Sequence, residues 1–335
     1  MWEYLAIRHQ RHLHSDEVGR YYGTSDPELR LRQSERGRVM AAGAYHSLLL
    51  TASGQVYACG YNISGQLGLG GCENHTTFAP VSLGEPVISV TAGTYHSLLL
   101  TASGQVYVCG DNSYGQLGLG DCENRTTFVP VSIGEPVISV TAGTYHSLLL
   151  TASGQVYACG NNCHGQLGLG DCENRTTFVP VSIGKPVISV TTGTFHSLLL
   201  TASGQVYVCG YNSYGQLGLG DYENRTTFLP FSIGEPVISV TAGAYHSLLL
   251  TASGQVYACG NNSSGQLGLG DCKNSTTFVP VSIGEPVISV TTGTYHSLLL
   301  TASGQVYVCG NNSSGQLGLG DCENHTTFVP VIYQQ

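Results

Sequence analysis

The chain has 335 residues, a formal net charge of −9 and no run of eighteen apolar residues, so we expect no membrane-spanning helix. Arg8, His9 and Arg11 interrupt the N-terminal stretch where a secretory signal needs apolar residues, so we expect no such signal. Seven of its twelve basic residues lie in residues 1–38, and the acidic remainder is expected to bind no DNA or RNA, because phosphate neutralisation dominates nucleic-acid binding. Twelve cysteines without a signal peptide indicate reduced thiols in the cytoplasm, with a nuclear location or delivery into a host cell left open.

Residues 1–38 are predicted to form an N-terminal extension, because they share no pattern with the rest of the chain. The stretch "SDPELRLRQ" is typical of a short helix, with Asp26 as N-cap and Pro27 at the first helical position. A second candidate helix is "WEYLAIRHQRHL". We interpret the extension as helical or disordered and loosely docked, since chain termini tolerate disorder, and keep a partner-binding arm as the alternative.

Residues 39–335 are a fifty-residue repeat without insertions or deletions. Six copies of a segment such as "AGTYHSLLLTASGQVY" begin at Ala42, Ala92, Ala142, Thr192, Ala242 and Thr292. Each unit has four candidate strands, "PVISVTAG", "HSLLLTASG", "QVYVCG" and "TTFVPVSI", separated by turn residues, and shows no helical period. Four strands per fifty residues, repeated, predict an all-β propeller of six blades in one domain.

Proline indicates the order of the strands within a blade. Pro130 and its equivalents lie inside "TTFVPV", and proline cannot donate the hydrogen bond of a central strand, so this strand is predicted at the outer edge. "VISVTAG" ends in small residues and is predicted at the axis. The alternating strand directions then bring the "AGTYH" turn and the long connector "GDNSYGQLGLGDCENR" to one end of the propeller, which we call the connector face.

The motif "HSLLLTASGQVYVCGDNSYGQLGLGD" resembles the repeats of the regulator of chromosome condensation family, over residues 39 to about 331. The resemblance implies a propeller, but it does not choose a function, because one fold serves many. The founding member of the family is a nucleotide-exchange factor for the small GTPase Ran. Other relatives are protein-binding scaffolds, a plant ultraviolet photoreceptor and a bacterial inhibitor of β-lactamase.

Three departures from the family pattern bear on function. The family often has seven blades, whereas six units are present here, so the ring is either six-bladed or completed by an irregular element from residues 1–38. The exchange factor is thought to displace nucleotide with a wedge inserted in one blade, and uniform spacing leaves no room for that insert. The photoreceptor needs clustered tryptophans, and this chain contains only Trp2.

The repeated polar residues are predicted to be structural. "GQLGLGD" opens no helix and so lacks the geometry of a phosphate loop, and "DCEN" lacks the ligand spacing of a calcium loop. The cysteines lack the CxxC spacing of a zinc site. One histidine per unit is expected on the connector face as a hydrogen-bonded structural residue: His46, His96, His146, His196, His246 and His296. We therefore predict no catalytic residue, cofactor or metal.

The candidate partner-binding residues are those that differ between units, because the shared residues build the blade. Tyrosine and arginine, which are enriched in binding hot spots, occur in units one to four of the connector face, whereas units five and six read "NNSS". Neutral variation of exposed loops is the alternative. The predicted set is Tyr61, Ile63, Asp111, Tyr114, Arg125, His164, Arg175, Tyr211, Tyr214 and Arg225.

We therefore expect a monomeric, non-enzymatic propeller that binds a protein partner through its connector face, and the acidic body favours a basic partner. The first alternative is a regulator or nucleotide-exchange factor of a Ran-like small GTPase, which the family resemblance implies. One version of this alternative is a bacterial effector that acts on a GTPase of its host cell. The second is a propeller that inhibits an enzyme by inserting its aromatic connector face into a cleft.

Overall fold

The structure, a computed structural model, describes residues 39–332, which form 24 β-strands and no helix. The strands form six four-stranded antiparallel sheets, one for each repeat, which we call blades 1 to 6. The predicted all-β propeller of six repeated blades is thereby confirmed. The helices expected in residues 1–38 lie outside the described residues, and no helix able to cross a membrane occurs between residues 39 and 332.

Blade 1 contains β1 (Val39–Ala42), β2 (His46–Leu50), β3 (Val56–Gly60) and β4 (His75–Pro80). Blade 2 contains β5 (Val87–Ala92), β6 (His96–Thr101), β7 (Val106–Gly110) and β8 (Arg125–Val131). Blade 3 contains β9 (Val137–Ala142), β10 (His146–Thr151), β11 (Val156–Gly160) and β12 (Arg175–Val181).

Blade 4 contains β13 (Val187–Thr192), β14 (His196–Thr201), β15 (Val206–Gly210) and β16 (Arg225–Phe231). Blade 5 contains β17 (Val237–Ala242), β18 (His246–Thr251), β19 (Val256–Gly260) and β20 (Ser275–Val281). Blade 6 contains β21 (Val287–Thr292), β22 (His296–Thr301), β23 (Val306–Gly310) and β24 (His325–Pro330).

Each blade is a meander whose strands lie in chain order from the axis outward. The first strands of neighbouring blades contact one another around the axis, as β5 does β9 and β13 does β17. The fourth strand is the outer edge, where Pro180 on β12 lies opposite Tyr157 on β11. An edge strand needs hydrogen-bond donors on one side only, so proline is tolerated there. The predicted strand order, outer proline strand included, is confirmed.

The core of the protein lies between the blades. Leu148 and Leu150 on β10 are fully buried against Leu199 and Cys209 of blade 4. Leu149, on the other face of the same strand, packs into the cluster between blades 2 and 3. Both faces of the second strand are buried in blades 2 to 5, so the "SLLL" run shows no polar alternation. Burial of one leucine contributes about 1.5–3 kcal/mol, so packing between blades stabilises the propeller.

The connectors of blades 1 to 5 each overlie the outer strand of the following blade. Leu119 of the blade 2 connector forms an isolated β-bridge with Thr177 of blade 3. Next to it, Gly118 has a φ of +69°, and a Cβ there would lie 2.3 Å from Cδ2 of Phe178. Glycine is therefore required at position 118 for its backbone conformation and for the close approach of the phenylalanine ring.

Candidate partner-binding face

Amide side chains fold each connector into a compact turn. In blade 2, the backbone N–H of Asn112 donates to Oδ1 of Asn124 at 2.9 Å, and the backbone N–H of Leu117 donates to Oδ1 of Asn112 at 2.9 Å. Nδ2 of Asn112 donates to the carbonyl oxygen of Asp121, also at 2.9 Å. The same three bonds recur in blade 3. The glycine-rich stretch is therefore held as a turn by buried asparagines.

The three predicted arginines brace the ends of the connectors. Nη2 of Arg125 lies 2.6 Å from Oδ2 of Asp121, and Nη1 donates to the carbonyl oxygen of Glu123 at 2.7 Å. The backbone N–H of Glu123 and the Arg125 guanidinium both lower the pKa of Asp121. The pairing recurs twice, as Arg175–Asp171 and Arg225–Asp221, and the arginine side chains are 19% to 23% exposed. These guanidinium groups therefore expose a minor part of their surface.

The repeated histidines begin the second strand of each blade, and those of blades 1 to 5 lie buried in the joints between blades. Nε2 of His96 lies 2.9 Å from Oγ of Ser147 in the next blade, and that hydroxyl donates to the carbonyl oxygen of Gln116 at 2.8 Å. Because the one hydroxyl hydrogen goes to Gln116, His96 must donate from Nε2. The bond occurs five times, at 2.8 to 3.0 Å: His46–Ser97, His96–Ser147, His146–Ser197, His196–Ser247 and His246–Ser297.

Burial keeps these histidines neutral. Burial lowers the pKa of His46 to about 4. It lowers the pKa to about 3 in four others: His96, His146, His196 and His246. Their Nδ1 atoms carry the lone pair and find no hydrogen-bond partner among the described residues. A proton on Nδ1 would place a charge and an unpaired N–H in a dry site. The predicted structural role of the histidines is confirmed.

A belt of aromatic rings surrounds the axis at the connector face. One ring comes from the "AGTYH" turn of each blade: Tyr45, Tyr95, Tyr145, Phe195, Tyr245 and Tyr295. From Tyr45 round to Tyr295, successive centroids lie 5.8 to 6.4 Å apart, with Tyr211 linking Phe195 to Tyr245. The sequence prediction missed these six rings because it considered only residues that differ between units. A tyrosine beside a turn in every unit was the available signal.

Five predicted residues add a second tier to this belt. Tyr114 lies 5.0 Å from Tyr145, and Tyr214 lies 5.2 Å from Tyr245, between ring centroids. The other three are Tyr61 beside Tyr45 and Tyr95, and His164 and Tyr211 beside Phe195. These distances are typical of favourable aromatic pairs. We call the eleven rings the aromatic collar; its second tier comes from blades 1 to 4 alone.

The remaining predicted residues have different surroundings. Ile63 is 62% exposed on the connector of blade 1. Asp111 is buried and accepts hydrogen bonds from Nε2 of Gln116 at 2.7 Å and Oγ of Ser113 at 2.6 Å. The structure therefore gathers the predicted tyrosines and His164 into one site, places the arginines at the connector ends, and uses Asp111 inside a turn.

The collar surrounds one mouth of an axial cavity with a volume of about 750 Å³. Its wall is built from the small residues of the turns that precede the collar rings, such as Gly93, Thr94 and Gly143. Oγ1 of Thr94 donates to Oγ1 of Thr144 at 3.2 Å, and backbone N–H groups of Thr194 and Ala244 donate to the next turn. Bonds between successive turns therefore fix the collar to a rigid base.

The twelve cysteines are free thiols in two environments. Cys109 and its equivalents in blades 3 to 6 are buried, and Sγ of Cys109 lies 3.4 Å from the carbonyl oxygen of Gln66. Burial raises the pKa of this thiol well above its usual value. The connector cysteines and Cys163 are exposed. Within residues 39–332, no three His, Cys, Asp or Glu side chains are placed to hold a metal ion together.

Comparison with known proteins supports this architecture. Residues 14–334 match the family model described as RCC1-like domain. Human WBSCR16 superposes with a TM-score of 0.80 at 27% identity, covering 88% of this chain and 81% of that one. Yeast RCC1 (Prp20) bound to Kap60 gives 0.79 at 22% identity, covering 90% and 76%, and Prp20p from Saccharomyces cerevisiae gives 0.77 at 23%, covering 90% and 78%. No curated protein sequence matches the chain significantly.

Proposed function

The chain belongs to the family of RCC1-like domains, and we propose that it is a non-enzymatic interaction module that binds a protein partner through the aromatic collar. The single observation that carries the proposal is the collar itself, a continuous surface of rings on a rigid base. Tyr45 is 60% exposed, Tyr295 40% and Tyr114 37%. Tyrosines supply large contact areas at low entropic cost, and they are among the residues enriched in binding hot spots.

The charges beside the collar favour a basic partner. Residues 39–335 carry five basic and fifteen acidic residues, a difference of −10. The connectors of blades 2 to 4, three of the four blades that bear the second tier of rings, display carboxylates that are 84% to 85% exposed: Glu123, Glu173 and Glu223. Lysine and arginine side chains of a partner would meet both the carboxylates and the faces of the rings.

The test replaces collar tyrosines with the residue that other blades carry at the same position. Tyr114→Ser and Tyr214→Ser reproduce Ser264 and Ser314 of blades 5 and 6, so the double variant should fold. Partners captured by the unmodified chain and by the variant are quantified by mass spectrometry. We expect at least about tenfold weaker capture, since hot-spot tyrosines each contribute more than about 1 kcal/mol.

The matched control is Ile138→Ser, which removes an equally exposed apolar side chain, 44% exposed, from the start of β9 at the other end of the propeller. It should leave capture unchanged. Equal capture by the unmodified chain and the tyrosine variant, with both folded by circular dichroism, would refute a role for the collar.

A second candidate is the regulation of a Ran-like small GTPase. It is supported by the similarity to Prp20p, a protein studied for its binding to Gsp1p and histones. Against nucleotide exchange stands the uniform fifty-residue spacing of the described strands, which contain no inserted wedge. Release of a fluorescent nucleotide from a Ran-like GTPase, with Prp20p as positive control, distinguishes exchange from binding alone. Insertion of the collar into the cleft of an enzyme is the third candidate, and inhibition assays would detect it.

A further inference from the structure

Asp111 is the one charged residue at its position in the repeat. It directly follows β7, and the backbone N–H of Asp111 donates to the carbonyl oxygen of Tyr95 at 2.9 Å. This bond ties Asp111 to a turn that carries a ring of the aromatic collar. The equivalent residues of the other blades are neutral: Tyr61, Asn161, Tyr211, Asn261 and Asn311. At this position, blade 2 alone brings a negative charge to the collar.

The fold does not require this charge, because asparagine makes the same bonds in other blades. Oδ2 of Asp111 accepts a hydrogen bond from Nε2 of Gln116 at 2.7 Å, and Oδ1 accepts one from Oγ of Ser113 at 2.6 Å. In blade 5, Oδ1 of Asn261 accepts both equivalent bonds, and Asn311 does the same in blade 6. A neutral amide oxygen is sufficient for the turn, so the turn leaves the charge of Asp111 unused.

The carboxylate is buried without a cation beside it. Asp111 is 8% exposed, and among residues 39–332 it forms no ion pair with lysine, arginine or histidine. The arginine of the same connector, Arg125, pairs with Asp121 instead. A buried carboxylate without an opposite charge is destabilising relative to a neutral amide. Because burial also weakens screening, a cation that reaches Asp111 is attracted more strongly than a cation at an exposed carboxylate.

Three collar tyrosines lie near this carboxylate. The ring centroid of Tyr145 is 5.0 Å from that of Tyr114 and 6.4 Å from that of Tyr95, and all three side chains reach the surface. Burial raises the pKa of the Tyr145 hydroxyl, and Tyr95, Tyr114 and Asp111 raise it further. The four groups therefore lie within electrostatic range of one another, and the neutral hydroxyls surround one negative charge.

Gln116 holds the carboxylate and one of these tyrosines in a fixed arrangement. Its side chain is fully buried, and Oε1 accepts a hydrogen bond from the backbone N–H of Tyr114 at 3.0 Å while Nε2 donates to Asp111. One amide group thereby sets the position of Tyr114 relative to the carboxylate. Groups that are already in place before a ligand arrives bind it with a smaller loss of entropy.

We propose that Asp111, Tyr95, Tyr114 and Tyr145 form a pocket for one protonated lysine or arginine side chain of a protein partner. The carboxylate of Asp111 accepts a hydrogen bond from the cation, and the aromatic rings contact its charged end, so a neutral side chain gains neither interaction. This inference rests on the proposed function and names the group that the collar recognises. It assigns that recognition to one sector, the connector of blade 2 and the adjoining turn of blade 3.

The probes are the two side chains without their backbone, n-butylammonium and n-propylguanidinium, titrated into the full chain at constant ionic strength. Tyrosine labelled with carbon-13 at its ε positions reports binding by NMR, and the variant Tyr114→Phe assigns the resonance of Tyr114. We expect saturable shifts of that resonance with both cations and none with the neutral butan-1-ol. Asp111→Asn should weaken binding at least about tenfold, because a hydrogen bond to a charged group is lost.

The matched control is Glu73→Gln, which removes the same charge from an exposed position on the connector of blade 1. It should change the affinity by less than about twofold, since exposed charges at a distance are screened. A second variant, Asn261→Asp/Ser264→Tyr, builds the pocket in blade 5 beside Tyr245 and Tyr295, the equivalents of Tyr95 and Tyr145. Saturable shifts of Tyr245 and Tyr295 should appear in this variant only.

Equal binding of the cations by the unmodified chain and by Asp111→Asn, with both folded by circular dichroism, would overturn the proposal, as would the absence of saturable binding. The peptide acetyl-Gly-Gly-Lys-Gly-Gly-amide tests whether the cation can belong to a protein: binding at least as tight as that of n-butylammonium supports the proposal, and markedly weaker binding would indicate a site for free amines and overturn it. The collar is tested separately. Loss of partner capture in Tyr114→Ser/Tyr214→Ser, with cation binding insensitive to Asp111→Asn, would keep the collar and remove the pocket.

Discussion

Acid is expected to unfold this propeller through its buried histidines. Five of them have a pKa of about 3 or 4 in the folded chain: His46, His96, His146, His196 and His246. In the unfolded chain the same side chains titrate near 6.5. Between these values the unfolded state binds more protons than the folded state, so the free energy of unfolding falls as the pH falls below 6.5.

The magnitude follows from the five pKa differences. At pH 5 each histidine lies about 1.5 pH units below its unfolded pKa and above its folded pKa, which costs about 2 kcal/mol. Five such side chains cost about 10 kcal/mol, a sum comparable to the whole stability of a typical domain. The aspartates with lowered pKa values, Asp121 and its equivalents, titrate below this range and do not contribute to it.

The assay is urea denaturation followed by circular dichroism at intervals of half a pH unit from 7.5 to 5. The free energy of unfolding should be nearly constant above pH 7 and should then fall with a slope that approaches five protons. The variant His146→Gln should lower that slope by one proton. A total change below about 2 kcal/mol between pH 6.5 and 5, the contribution of one histidine, would refute the assignment of neutral, buried rings.

Two further predictions compare a position in a joint between two blades with the equivalent position on blade 1 or blade 6. Both are measured as shifts in the urea midpoint of unfolding. Ser147→Ala leaves the Nε2 hydrogen of His96 unpaired and should cost about 1–3 kcal/mol, whereas Ser47→Ala, to which no histidine of residues 39–332 bonds, should cost less than about 0.5 kcal/mol; equal effects would contradict the tautomer assigned to the histidines. Gly118→Ala forces a Cβ into the ring of Phe178 and should cost several kcal/mol, whereas Gly318→Ala, with a φ of +67° but no neighbour within 4 Å among residues 39–332, should cost only about 1–2 kcal/mol of backbone strain. Indistinguishable costs for the two glycines would show that the phenylalanine contact is unimportant.

The fold was predictable because the same pattern of four strands and turns recurs in six units of the sequence. Strand number followed from turn residues that recur every fifty positions, and the radial order followed from Pro130 and its equivalents, because proline is excluded from central strands. The placement of Tyr114 and Tyr214 on one face followed from the alternation of strand direction. These inferences use local chemistry that does not depend on how the blades are arranged around the axis.

The missed features depend on contacts between blades. The burial of His96 is set by Ser147, fifty-one residues away in the next blade, and no local pattern distinguishes a displayed histidine from one inside a joint. The arginines appeared to be free hot-spot residues, although Asp121, four residues before Arg125, was a visible partner. The inner rings of the collar, such as Tyr95, recur in every unit and were therefore assigned to the scaffold. The residues that form the joints are also the same in every unit, so the greater exposure of Leu49 and Cys59 on blade 1 leaves no local trace in the sequence.

The joint between blades always runs in one direction, from a histidine of one blade to a serine of the next, and this bears on how such chains change length. Blades 1 to 5 each present the same donating histidine to the next blade, and blades 2 to 6 present the same accepting serine to the blade before, always fifty-one residues apart. Removal or duplication of a fifty-residue unit in phase would leave every surviving joint with its partners in place. The copy number of blades is thereby independent of the chemistry that joins them, and a gene of this kind can gain or lose modules by recombination while each product keeps the same contacts.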